Sequence, residues 1–94
     1  MEKLTEFKDV RFVQTFPLTL ESGILYVSRK HGQVECLCPC GCGSVCNMAL
    51  QPMWPKGWTM QEQDGKVTLN PSVLNTLCPD KAHFFIRGNR ICWV

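Results

Sequence analysis

The sequence predicts a small, mostly-β single domain built of hairpins, with little helix. Three observations carry this. Apolar residues recur in short runs of period two, the pattern of half-buried strands. Asp64-Gly65 and Gly88-Asn89 fall between such runs, and two-residue hairpin loops need residues that tolerate positive φ. Cys36-Leu37-Cys38-Pro39-Cys40-Gly41-Cys42-Gly43 places four thiols at alternate positions in seven residues, with Cys46 close behind.

Residues 1–23 read as an N-terminal extension packed on a β domain that spans residues 24–94. Glu2 to Val10 carries helix formers, but Phe7, Val10, Phe12 and Val13 hold no clean stripe. Ile24-Leu25-Tyr26-Val27-Ser28 is rich in strand-favouring side chains, and Gln33-Val34-Glu35-Cys36-Leu37 alternates into the thiol cluster. Arg29-Lys30-His31-Gly32 supplies a polar turn between them. Val45 to Leu50 forms a third strand with Cys46, Met48 and Leu50 on one face.

Gln51 to Trp58 is a Pro-rich connection, irregular but packed by Trp54 and Trp58. Met60–Gln63 and Lys66–Leu69 flank Asp64-Gly65 as a hairpin. Asn70-Pro71-Ser72-Val73-Leu74-Asn75 reads as a turn able to open one helical turn, with Pro71 suited to its first position. His83–Arg87 and Arg90–Val94 close the chain as a hairpin around Gly88-Asn89.

Ninety-four residues make one domain, and a chain of this size buries only about 60–65 % of its unfolded surface. A bound metal would add stability where the core is thin. Ten Lys and Arg against eight Asp and Glu leave a formal charge of +2, no footprint for binding a polyanion. No run approaches the roughly 20 apolar residues of a membrane span. Met1 to Gln14 is charged and lacks the apolar centre of a secretory signal. With an odd total of seven cysteines, this argues against a secreted disulfide framework and for a reducing, cytoplasmic setting.

Neutral thiols have no reason to cluster, whereas thiolates converge on a soft divalent metal. One structural Zn2+ is therefore expected to pin the hairpins. All four alternating cysteines would share one face of a strand, spread too far apart for one ion. Pro39, Gly41 and Gly43 break that strand and let the chain curl, which favours Cys38, Cys40 and Cys42 as ligands. Cys36 and Cys46 read as core thiols or spares. Cys78-Pro79-Asp80-Lys81-Ala82-His83 offers the missing half, from Cys78 or His83. Asp80 could ligate directly or hold the imidazole. Five candidates for four places leave one too many.

Other chemistry is less well supported. No His-Glu-x-x-His or His-x-Glu pattern supplies a catalytic metal site with a nearby base. Only His31 and His83 could activate a cysteine; Cys40 with His83 is the one pairing to consider, and the same atoms serve better on a metal. His31 lies in a polar turn and reads as solvated, and Cys92 alternates within an apolar strand as core. Trp54, Trp58, Trp93, Phe84, Phe85 and Tyr26 could stack bases, but in a small domain they supply the core.

Leu25-Tyr26-Val27-Ser28, the Leu37-Cys38-Pro39-Cys40-Gly41-Cys42-Gly43 run, Leu69-Asn70-Pro71-Ser72-Val73-Leu74-Asn75, His83-Phe84-Phe85-Ile86 and Ile91-Cys92-Trp93 occur in an order that resembles the small bacterial proteins of the domain-of-unknown-function family DUF6527. The resemblance covers residues 24–94. It implies a zinc-binding domain encoded near ubiquitin-like modifiers and their processing enzymes, in settings of phage defence. In that family a Cys stands closer to the His, where this chain has Asp80, so Cys78 would have to reach in from a reshaped loop. The sequence thus favours a non-catalytic, zinc-stabilised interaction module serving such a pathway. Its partner would be a ubiquitin-like modifier or a conjugation or processing enzyme. A thiol or zinc enzyme acting on a modifier thioester or conjugate is the alternative, and a nucleic-acid-binding zinc domain the second.

Overall fold

The computed structural model describes residues 3–94. They form a small all-β domain with two four-stranded sheets and no helix among the described residues. The first sheet runs in chain order through β1 (Asp9–Phe12), β2 (Ile24–Ser28), β3 (Gln33–Leu37) and β4 (Val45–Ala49). The second is a meander of β5 (Thr59–Gln63), β6 (Lys66–Leu74), β7 (His83–Arg87) and β8 (Arg90–Trp93). No helix of the described residues is long and apolar enough to cross a membrane.

β2 is buried along its whole length because both of its faces are covered. Leu25 and Val27 enter the main core between the sheets. Ile24 and Tyr26 meet Leu20, Val13, Phe16 and Leu37 on the other side. An unbroken apolar run is the expected signature of a strand covered on both faces. β1 lies parallel to β2, and the connection between them supplies that second cover. In β3 and β4 the alternation is clean: Val34 and Cys36 face Met48 and Cys46 across the ladder and point into the core.

The second sheet is shaped by its turns. Asp64 and Gly65 have φ of 55° and 76°, and Gly88 and Asn89 have 55° and 67°. Paired positive φ values give the hairpin turn whose twist matches the flanking strands. Asn89 adds a buried bond, its Oδ1 accepting from Val67 N at 2.8 Å.

The Asn70–Asn75 segment departs from the turn expected of it. β6 continues through it to Leu74, with a shift in register between the Leu69–Ile86 and Val73–Phe84 pairs. Pro71 is tolerated because it falls in this irregularity, just past the last β5 pairing of Thr59 with Asn70. The N-terminal segment runs beside β8: Ile91 N donates to Thr5 O and Phe7 N to Asn89 O, and Phe7 is buried in the main core.

Candidate metal centre and a serine–histidine pair

β3 carries the chain into the thiol loop, and the loop turns back as β4. Cys38 N donates to Ser44 O at 2.8 Å and Gly41 N to Cys38 O at 3.0 Å. Gly41 and Gly43 take φ of 89° and 86°, a left-handed backbone that side chains disfavour. The curl brings the sulfurs of Cys38, Cys40 and Cys42 to one side. The opposing loop follows β6. Cys78 N donates to Asn75 O and Lys81 N to Cys78 O, a tight turn that aims Cys78 inward.

The sulfurs of Cys38, Cys40, Cys42 and Cys78 all lie within 4.8 Å of one another. Cys40 Sγ is 3.4 Å from Cys38 Sγ and 3.2 Å from Cys78 Sγ. Four sulfurs at the usual zinc–sulfur bond length would stand about 3.8 Å apart at the corners of a tetrahedron. The group is thus of the right size and donor type to hold a metal ion. Burial pushes the Cys38 and Cys40 thiols up. The exposed Cys42 is lowered to about 6, chiefly by a hydrogen bond from the Ser44 hydroxyl at 2.9 Å. Ser44 Oγ in turn accepts from Asn75 Nδ2 at 2.9 Å, which ties the two loops together.

The other sequence candidates lie elsewhere. Cys36 and Cys46 face each other in the β3–β4 ladder, both buried, and Asp80 is exposed outside the thiol group. His83 is also outside it. It opens β7 opposite Leu74, and its Nε2 lies 2.8 Å from Ser72 Oγ. Ser72 and Leu74 share a face of β6, so Ser72 reaches His83 as a diagonal neighbour. Trp58 Nε1 donates to the Ser72 carbonyl at 3.3 Å and fixes the backbone at the register shift. Shifts of this kind recur beside active sites, where they re-aim a side chain.

With Ser72 Oγ–H donating, Nε2 is the acceptor and Nδ1 carries the ring proton. A hydroxyl bonded to an imidazole is the minimal arrangement of a nucleophile with its base. Sequence reasoning missed Ser72. Its only available signal was that two histidines are few, so that any serine packed on either one is a candidate.

No curated protein and no solved structure matches this chain. One family model does: BubE, described as the bacterial ubiquitination-like system serine protease, over residues 12–94. This finding overturns the resemblance to the DUF6527 family, while keeping the link to ubiquitin-like modification that the resemblance implied. The match takes in β2 to β8, the four thiols and the Ser72–His83 contact, and on it the chain belongs to the BubE family of bacterial ubiquitination-like systems.

Proposed function

We infer that the protein is a serine hydrolase that cleaves a peptide bond in a protein of its ubiquitination-like system, with Ser72 as nucleophile and His83 as base. The observation that carries this reading is the 2.8 Å contact between Ser72 Oγ and His83 Nε2, in a chain whose family is described as a serine protease. It differs from the non-catalytic module that the sequence alone favours.

In this mechanism Ser72 Oγ attacks the scissile carbonyl while His83 Nε2 takes the hydroxyl proton. His83 returns that proton to the leaving amine as the C–N bond breaks, leaving an acyl ester on Ser72. Water then attacks the ester, gives its proton to Nε2, and releases the acid as Oγ is reprotonated.

Cys38, Cys40, Cys42 and Cys78 would hold one zinc ion in a closed four-thiolate site. Such a site supplies rigidity and leaves no open position for substrate. Its value to the reaction is mechanical. Cys78 lies in the loop that joins the Ser72 strand to the His83 strand, so fixing Cys78 fixes their register. The proposed substrate is a modifier precursor or conjugate of the same system.

The test is labelling by an alkyl fluorophosphonate, which reacts with activated serines. Wild-type protein should be labelled at Ser72, and Ser72→Ala should not. His83→Gln keeps a hydrogen-bonding side chain but no base, and should slow labelling and turnover on the order of 10³-fold. Folded, metal-loaded protein that resists the probe would overturn the reading and restore the non-catalytic module.

A further inference from the structure

Two stretches of unpaired strand face a common groove beside Ser72. β4 is an edge strand, paired with β3 alone. The bonds Cys38 N to Ser44 O and Leu50 N to Gly32 O put the even-numbered residues of β4 in the hydrogen-bonded pairs. The N–H and C=O groups of Val45 and Asn47 therefore point outward, away from β3. At Ala49 the free edge ends, because its carbonyl accepts from Trp58 N at 2.7 Å.

Across the groove, β6 outruns β5, whose last pair is Thr59 with Asn70. The bond from Asn75 N to Ala82 O makes Leu74–His83 a non-bonded pair, so the backbone groups of Leu74 also face away from β7. Between these walls is a cavity of about 210 Å³ lined by Val45, Asn47, Trp58, Leu74 and Leu77 among others. Val45, Leu74 and Leu77 are 40 %, 53 % and 75 % exposed, a high value for apolar side chains that are close together. Unsatisfied backbone groups alternating with apolar side chains are what an added strand requires: ladder bonds for its backbone and a pocket for every second side chain.

The geometry points to the substrate of Ser72 being an extended, unfolded protein segment that adds as a strand along β4 and Leu74 and seats an apolar side chain against Val45, Trp58 and Leu77. This rests on Ser72 and His83 acting as the reactive pair. Continuity favours this occupant: Leu74 is two residues from Ser72 on the same face of β6, and Trp58, which lines the groove, holds the Ser72 carbonyl, so the groove ends beside the nucleophile. The hydrogen bond from Asn75 Nδ2 to Ser44 Oγ bridges the two walls and limits the segment to a short one. A cavity of about 210 Å³ suits a flexible tail or linker better than a folded surface.

The probe is an octapeptide of alternating serine and leucine, titrated into the inactive Ser72→Ala protein and followed by amide NMR shifts. Shifts concentrated at Val45, Asn47 and Leu74 are expected. N-methylation of alternate peptide amides should weaken binding about tenfold or more, through loss of ladder bonds. Leu77→Asp should weaken it to a similar degree by removing the apolar wall. Absent or scattered shifts, binding indifferent to N-methylation, or a dimer pairing its own β4 edges in place of the peptide would each overturn the inference. The alkyl fluorophosphonate reads the reactive pair without using the groove. Labelling without peptide binding overturns the groove alone, and binding without labelling overturns the reactive pair.

Discussion

Ser44 makes Cys42 unlike its three neighbours. Its hydroxyl donates to the Cys42 sulfur, and Asn75 holds the hydroxyl in place from the other loop. With Cys42 lowered to about 6 and exposed, the metal-free protein carries mainly thiolate there at pH 7. Cys38 and Cys40, raised by burial, stay protonated. Thiolate is the nucleophilic form, so iodoacetamide should modify Cys42 before the other cysteines at pH 7, as read by peptide mapping. The rate should fall as pH drops through 6, and Ser44→Ala should slow it at pH 7 by restoring a higher pKa. That Cys38, Cys40, Cys42 and Cys78 lie together was legible in the sequence, because donor type and a Pro/Gly turn are local properties. That His83 lies apart from them was not, because proximity to Cys78 along the chain says nothing about facing. Cys78 points inward from a turn, while His83 starts a strand and meets Ser72 on its outer face.

At the scale of elements, the hairpins were readable and β6 was not. Asp64-Gly65 and Gly88-Asn89 specify their turns by backbone preference alone. Asn89 goes further, accepting from Val67 N across the sheet. Asn89→Ala removes that acceptor and puts a side chain with no local compensation at φ 67°. It should lower stability by about 1–3 kcal/mol in urea unfolding, because a buried N–H is left unpaired. The Asn70–Asn75 segment, by contrast, has the composition of a turn. What holds it extended is pairing with β7, Val73 with Phe84 and Leu74 with His83, partners that lie outside the segment and beyond the loop that follows it. The Ser72–His83 contact is a product of that register, which is why it was invisible to a reading of motifs.

For the whole molecule, the decisive feature is that the thiol group joins the two sheets. Cys38, Cys40 and Cys42 leave the first sheet, and Cys78 hangs from the second. Elemental mass spectrometry should find one zinc per chain, and chelation should lower the unfolding midpoint and slow Ser72 labelling together. Burying a second set of contacts at the N-terminus has a consequence for where this domain begins. The family match starts at residue 12, yet Phe7 fills the core, Trp93 Nε1 donates to Leu4 O, and Leu4 N donates to Pro39 O beside the thiols. A chain cut back to residue 12 would lose a buried aromatic worth about 3–5 kcal/mol. It would also uncover the outer edge of β8, and bare edges recruit other strands. Size-exclusion chromatography of such a chain should show soluble aggregate rather than monomer. Residues 3–11 act as a seal on the sheet, so a chain trimmed to the matched region is expected to fail by self-association before its thiol group comes apart.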